Sequence, residues 1–363
     1  MLVQKELRQI FRDPKTKRIV FGSPLIQLLL FGYAVTTDVH NVATFVVDHD
    51  RTAESRALLN TMTAAGYFRI VGRSDRAGDI GVALDRGDAV IGVEIPPGFA
   101  ADLAARGARV QVLVDGTQSN TATVAQGYAT RIVQQFGLDH ARARGVALDG
   151  GVDLRSRAWF NPALESRVYN VPAIIGILLL LMCLLLTALA VVRERELGTL
   201  EQLMVSPLTP GELMLGKTIP VAIIALIDLA LITAVAILWF RVPLHGSAIA
   251  LLLAAVLYIL AALGLGLFIS TISKTQQEAF MSMFLLILPA IVLSGFMYPV
   301  HTMPDAIQHL SQLNPVRHFL EVVRGIFLKG HGITDIWRQL LIIAAMAAGL
   351  LWGATRRFRR AYS

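Results

Sequence analysis

The chain has 363 residues, 55% of them hydrophobic and only 16% charged, with a mean hydropathy of +0.59 and a formal net charge of +7. A soluble domain holds about a quarter charged residues, so this composition excludes a wholly soluble protein and requires much of the chain to face lipid. The single cysteine, Cys183, lies inside an apolar run. It excludes an intramolecular disulfide and a cysteine-built metal site, and it reads as a small apolar filler.

Residues 1–18 place Leu2, Val3, Leu7, Ile10 and Phe11 on one helical face. That spacing predicts an amphipathic helix in the membrane interface, with its lysines and arginines toward anionic headgroups. Pro14 ends it. A secretory signal peptide is the competing reading, because Gly32 and Ala34 imitate a small-residue cleavage site. A hydrocarbon core about 30 Å thick needs about 20 residues of apolar helix. Six segments are predicted to cross: 19–36, 171–192, 219–240, 248–269, 279–298 and 336–354, the first and last being short or polar at their edges.

Residues 38–169 change character, with β-branched runs alternating with helical ones. Strands are expected at 43–48, 67–72, 89–95 and 110–116, and helices at 52–65, 75–85, after Pro96-Pro97 with proline in the first turn, and at 119–144. Such alternation implies βαβ units and a mainly parallel sheet. Asp48, Asp50 and Asp115 fall just beyond strand ends, where ligands of open α/β sheets sit; helix caps and turns are the plainer reading. No glycine-rich dinucleotide fingerprint follows the first strand, and His40, His49 and His140 lack metal-ligand spacing.

The second span ends at Arg193 and opens the polar segment 193–218, which holds Arg193, Glu194, Arg195, Glu196, Gly198, Thr199, Glu201 and Gln202. The arginines can snorkel to headgroups, while Glu194, Glu196 and Glu201 face water or a partner. Leu200, Leu203 and Met204 suit a short helix that docks in a partner's groove. Gly211 to Thr218 reads GELMLGKT and fits a phosphate-loop pattern letter for letter. That pattern acts only between a buried strand and a helix in a soluble core, so it is read as a mimic. Asp228 falls inside the third span, where a carboxylate costs about 2.5–3.5 kcal/mol; it is either a path or gating residue or a group hydrogen-bonded to a neighbouring helix or subunit. Gly264 and Gly266 allow close helix approach. Residues 299–330 are half apolar but broken by Pro299, Pro304 and Pro315, which predicts short re-entrant helices. His301, His309, His318 and His331 are read as surface histidines.

Basic residues fix the expected orientation. Residues 1–18 hold six lysines and arginines against two acids, and Arg356, Arg357, Arg359 and Arg360 end the chain without an acid. Residues 38–169 carry 14 Arg, 15 acidic residues and no Lys. The positive-inside rule therefore places both termini, including the basic tail 355–363, on the cytoplasmic side. No aromatic-interleaved basic face indicates nucleic-acid binding.

This order of parts resembles the permease subunit of type-2 ABC exporters, in the bacterial multidrug branch with an enlarged periplasmic domain between the first two spans. RERELGTLEQLMVSPLTPGELMLGK (193–217) and SGFMYPVHTMPDAIQHLSQLNPVRHFLEVVRGIF (294–327) carry the resemblance most closely. It implies an inner-membrane, six-helix α-helical protein with an inserted extracytoplasmic α/β domain. It implies two permeases, identical or paired with a sister, working with separate ATPase subunits that hold the ATP and Mg. Segment 193–218 would couple to the ATPase, and Pro299, Pro304, Asn314 and Pro315 would belong to an outer gate. A periplasmic adaptor would be a further partner for residues 42–165. The chain itself is expected to bind no cofactor and to move a drug-like or lipid-like substrate outward. A membrane receptor with an outer ligand-binding domain is the reading of a different class; it would need a cytoplasmic output module.

Overall fold

Residues 2–34, 41–105, 107–117, 119–143, 160–161, 165–198 and 210–362 are described by a computed structural model of the chain. They divide into two units, Met1–Thr36 with Ala158–Ser363, and Thr37–Arg157.

In the first unit, α1 (Leu2–Arg12) half-buries Val3, Glu6 and Leu7, an i, i+3, i+4 face, and packs on the helix of residues 210–238. A short helix, α2 (Pro14–Lys17), and a π turn, Arg18–Gly22, lead into α3 (Ser23–Ala34). The second predicted span is longer than its apolar run. It is α8 (Ser166–Glu196), which continues through Pro172 and buries Ser166 and Asn170. The next helices are α9 (Pro210–Leu238), α10 (Ala248–Ile272) and α11 (Gln276–Val292). The segment 299–330 forms a short 3-10 turn (Val300–Thr302), α12 (Asp305–Ser311), α13 (Pro315–Arg324) and a π turn (Gly325–Lys329). The last helix, α14 (Ile333–Tyr362), absorbs the basic tail expected at 355–363, because nothing in Arg356 to Arg360 breaks a helix.

Among the described residues, four helices are long and apolar enough to cross a membrane: Ser166–Glu196, Met214–Leu238, Ala248–Ile272 and Ile333–Arg357. Arg18–Ala34 and Gln276–Val292 are shorter apolar helices. The six-span expectation therefore meets four full-length helices and two shorter ones. Segment 279–298 falls short as a span because the helix stops at Val292, where the chain turns through Leu293 to Gly295.

Helix α8 is the hub of this unit, packed against α3, α9, α10, α11 and α13. Its Gly176 carbonyl accepts a hydrogen bond from the buried Tyr258 hydroxyl at 2.9 Å, and the Tyr258 ring stacks on Phe319 at 4.1 Å. Small residues let the helices meet closely. A methyl group on Gly264 would lie 2.9 Å from Leu350 Cβ and 3.1 Å from the Leu351 backbone nitrogen.

The second unit runs β1 (Val42–Asp48), α4 (Ala53–Ala64), β2 (Phe68–Ser74), α5 (Gly78–Asp85), β3 (Ile91–Ile95), α6 (Phe99–Ala104), β4 (Gln111–Val114) and α7 (Ser119–Ala143). The sheet order is β2-β1-β3-β4, with β1 parallel to both β2 and β3 and β4 antiparallel to β3. Val46, Ile91, Val93 and Ile95 meet Leu58, Met62, Phe99 and Ala125 in its core. One sequence expectation fails here: α6 starts at Phe99, after both prolines, with Gly98 as its N-cap.

The close approach at Gly264 generates a test. Gly264→Ala must push α10 and α14 apart and is expected to cost about 1–3 kcal/mol. Gly349→Ala, whose added methyl meets nothing within 4 Å, serves as the reference. Thermal melts of the two detergent-purified variants should separate, with only the Gly264 variant melting below the parent.

Candidate functional site

Segment 193–218 leaves α8 and returns as α9. Gly198, at φ +70°, closes α8: the amides of Leu197 and Gly198 bond back to the carbonyls of Arg193 and Arg195. On the returning side, Lys217 is all but buried, its side chain 7% exposed. Its Nζ donates to Glu6 Oε1 at 2.7 Å and to Glu194 Oε1 at 2.8 Å. One ammonium thus joins three helices: α1 through Glu6, α8 through Glu194 and its own α9. The Glu6 and Glu194 side chains are 16% and 22% exposed, so the group is largely shut away from water.

Two further bonds widen this clasp. Arg195 Nη1 donates to the Ser273 carbonyl at 2.6 Å, and Gln276 Nε2 donates to Glu196 Oε2 at 2.5 Å. Ser273 caps the end of α10 and Gln276 opens α11. The α10–α11 connection is itself ordered by a capping arrangement: Thr275 Oγ1 accepts the Glu278 amide, and Glu278 Oε2 accepts the Lys274 amide. Four helix ends and α1 therefore meet at one end of the unit.

The sequence-selected residues fall into three groups. Glu194, Arg195 and Glu196, expected to face headgroups, water or a partner, are engaged within the chain. Arg193 is exposed, as are Gly198 and the 66%-exposed Leu197 beside it. Thr199, Glu201 and Gln202 lie outside the described residues, as do Leu200, Leu203 and Met204. The phosphate-loop mimic is helical from Pro210 onward, so it forms no loop, and its lysine is held by two carboxylates. Lys217 and Glu6 were not singled out by sequence; they stand 211 positions apart, and no local spacing links them.

Asp228 is fully buried on the face of α9 that also buries Val221, Ile224, Ala225 and Ile232. Neither carboxyl oxygen has a hydrogen-bond partner among the described residues. The inter-helix hydrogen bond considered for it is therefore not formed among the described residues.

At the other end of the unit, Pro299 precedes the 3-10 turn, Pro304 caps α12 and Pro315 opens α13. Asn314 does two jobs: Oδ1 accepts the Val316 amide at 3.1 Å and Nδ2 donates to the Ala290 carbonyl at 2.7 Å, fastening α13 to α11. His318, expected on the surface, is buried, with Nε2 2.9 Å from the Gln312 carbonyl. The amphipathic α13 turns it inward together with Phe319 and Val322. Among the described residues no cluster of three or more His, Cys, Asp or Glu side chains is arranged to hold a metal.

In the second unit the strand-end aspartates act as caps and turns. Asp48 Oδ1 accepts the Asp50 and Arg51 amides, and Asp50 accepts the Gly98 and Ala100 amides at the start of α6. Asp115 accepts the Thr117 amide, which holds its carboxyl below the ordinary range.

A sequence model of the "ABC-2 family transporter protein" matches residues 18–356. The chain belongs to the ABC-2 transporter family. It is 33% identical to "Probable multidrug ABC transporter permease YbhR" of Escherichia coli over 360 residues, 99% of this chain and 97% of that one. It is also 33% identical to "Probable multidrug ABC transporter permease YbhS" of the same organism, covering 98% and 96%. "Inner membrane transport permease YhhJ" is 28% identical, covering 98% and 95%. Permease relatives of full length make the chain a transport subunit rather than an enzyme. They do not favour the receptor reading.

The clasp yields a stability prediction. Lys217→Met leaves two carboxylates facing each other in a nearly dry site and is expected to cost about 3 kcal/mol. Adding Glu6→Gln removes one of the two charges, so the double variant should melt closer to the parent than Lys217→Met alone. A double variant that melts lower still would mean that the three groups do not act as one.

Proposed function

We propose that this chain is the membrane half of an ATP-driven exporter, carrying a hydrophobic or amphipathic substrate, drug-like or lipid-like, out of the cytoplasm or inner leaflet. A separate ATPase subunit, holding ATP and Mg, docks on segment 193–218 from the cytoplasm. The observation that carries this reading is the Lys217 clasp. Both ends of the segment are tied to one another, to α1 and to the α10–α11 connection, so a push on the segment reaches four spanning helices at once. The exposed Leu197 and Arg193 at its base suit a partner's surface better than bulk water alone. The permease names of the full-length relatives support the same reading.

In this reading the chain crosses the inner membrane six times. The two short helices, each 17 residues, reach about 26 Å at 1.5 Å per residue, the lower limit for a crossing. The basic N-terminal and C-terminal segments favour the cytoplasm for both ends. Residues 38–169 then form a periplasmic domain, a surface for an adaptor, and a second permease, identical or a sister, completes the path. ATP binding to the partner biases the bundle between two packings, the work coming from the differential affinity of ATP for those two states. Asn314 and Pro315, which fasten and start α13, sit where an outer gate must hinge. Asp228, buried with no hydrogen-bond partner among the described residues, is a residue of the path or of the contact with the second permease.

Two outcomes follow. Glu201→Lys and Glu196→Lys should leave the chain in the membrane with its ATPase while breaking the link between hydrolysis and efflux. This is measured as ATPase rate against substrate uptake in inverted vesicles; unchanged coupling in both would remove the docking assignment. Asp228→Asn and Asp228→Leu should both lower transport at normal expression. If both transport normally, Asp228 has no part in the path.

A further inference from the structure

The unit of residues 37–157 holds a cleft of about 370 Å³ that the transport reading does not use. It lies at the carboxyl ends of the parallel neighbours β1 and β2, the edge at which open α/β sheets take ligands. Val46 and Leu59, both buried, give it apolar walls. Three arginines, Arg51, Arg56 and Arg73, line it against two aspartates, Asp48 and Asp75.

These charges are not equivalent. Asp48 is committed to the Asp50 and Arg51 amides through Oδ1 and to the Ser55 hydroxyl, at 2.7 Å, through Oδ2. The Ser74 hydroxyl donates to Asp79 and accepts the Arg76 amide. Arg51 forms an ion pair with Asp75. Arg56 and Arg73 are left, one from α4 and one from β2, with no carboxylate partner among the described residues. Both are exposed and line one cavity, whose acidic groups are already engaged.

We propose that this cleft binds a small organic anion, a carboxylate or phosphate carried on a short apolar body. A guanidinium presents paired donors that match the oxygens of either group. The Val46 and Leu59 walls take the apolar body, and the volume lies at the lower end of the range of about 300–1,000 Å³ typical of small-ligand sites. A cationic ligand would meet Arg56 and Arg73 without compensation, because the aspartates facing the cavity are engaged.

The test is calorimetric titration of the full-length chain in neutral detergent with hexanoate, hexyl phosphate and hexylammonium as probes. Saturable binding of at least one anion, and none of the ammonium, is expected; the two anions separate a carboxylate site from a phosphate site. Arg56→Ala with Arg73→Ala should weaken the bound anion about tenfold or more, and the corresponding lysine pair should fall between. Arg69→Ala with Arg86→Ala removes the same charge from exposed positions of the same unit that do not line the cleft, and should leave binding intact. No saturable anion binding by the parent chain would overturn the proposal. So would equal loss in the two alanine pairs, or unchanged binding in the Arg56 and Arg73 pair.

Discussion

A lysine ammonium held away from water between two carboxylates is the constraint around which the membrane unit is arranged. Lys217 cannot keep its charge in a nearly dry site without Glu6 and Glu194, and neither glutamate is comfortable there without Lys217. The three groups are drawn from the first helix of the chain and from the two helices that bracket segment 193–218. An amphipathic α1 would otherwise be held only by its apolar face. The ion cluster fixes its rotation and its height against α9. The clasp is therefore a device of position as much as of stability.

At the opposite end of the bundle the fastening is of another kind. Asn314 caps α13 with one atom and grips α11 with another, Tyr258 stacks on Phe319 while bonding to α8, and Arg324 donates to the Gly295 carbonyl at 3.1 Å with its guanidinium 3.8 Å from the centre of the Tyr169 ring. These are neutral or singly charged contacts that tie the short helix α13 to its longer neighbours α8, α10 and α11, each worth about 1 kcal/mol or a little more. A bundle strongly clasped at one end and lightly fastened at the other bends at the lighter end. That asymmetry would suit the proposed transport cycle if its two packings differed chiefly near α12 and α13.

Much of this was legible in residue order. Alternating β-branched and helical runs gave the strands of the second unit close to their observed ends, and apolar runs located the four long apolar helices among the described residues. What the runs did not give was helix length. Ser166 to Asn170 and Arg356 to Arg360 are polar, yet nothing in them stops a helix, so α8 and α14 extend beyond their apolar cores. The strand-end aspartates were resolved by geometry: the amides of Gly98 and Ala100 reach Asp50 only once the chain has folded back across about fifty positions. The clasp was the least legible feature. Lys217 sits in a motif that mimics a phosphate loop, and its true partners come from a helix at the far start of the chain and from the end of α8. Ion pairs of that separation leave no periodic trace.

How a force on segment 193–218 would travel can be argued from the energies of the same contacts. At 2.8 Å and an effective dielectric of about 20, the attraction of one ammonium for one carboxylate is ~6 kcal/mol, and drawing them ~2 Å further apart forfeits ~2.5 kcal/mol. That is several times thermal energy for each carboxylate, whereas sliding a whole packed helix end by the same distance breaks no ion contact at all. A displacement at the segment is therefore passed on as common movement of α1, α8 and α9 rather than absorbed by stretching the clasp. Arg195 on Ser273 and Gln276 on Glu196 extend the moving group to α10 and α11 through weaker bonds, which can re-form at a neighbouring partner. In the proposed transport cycle the stiff joint would carry motion and the soft joints would let it become a change of packing; a chain with the two reversed would dissipate the push where it arrived.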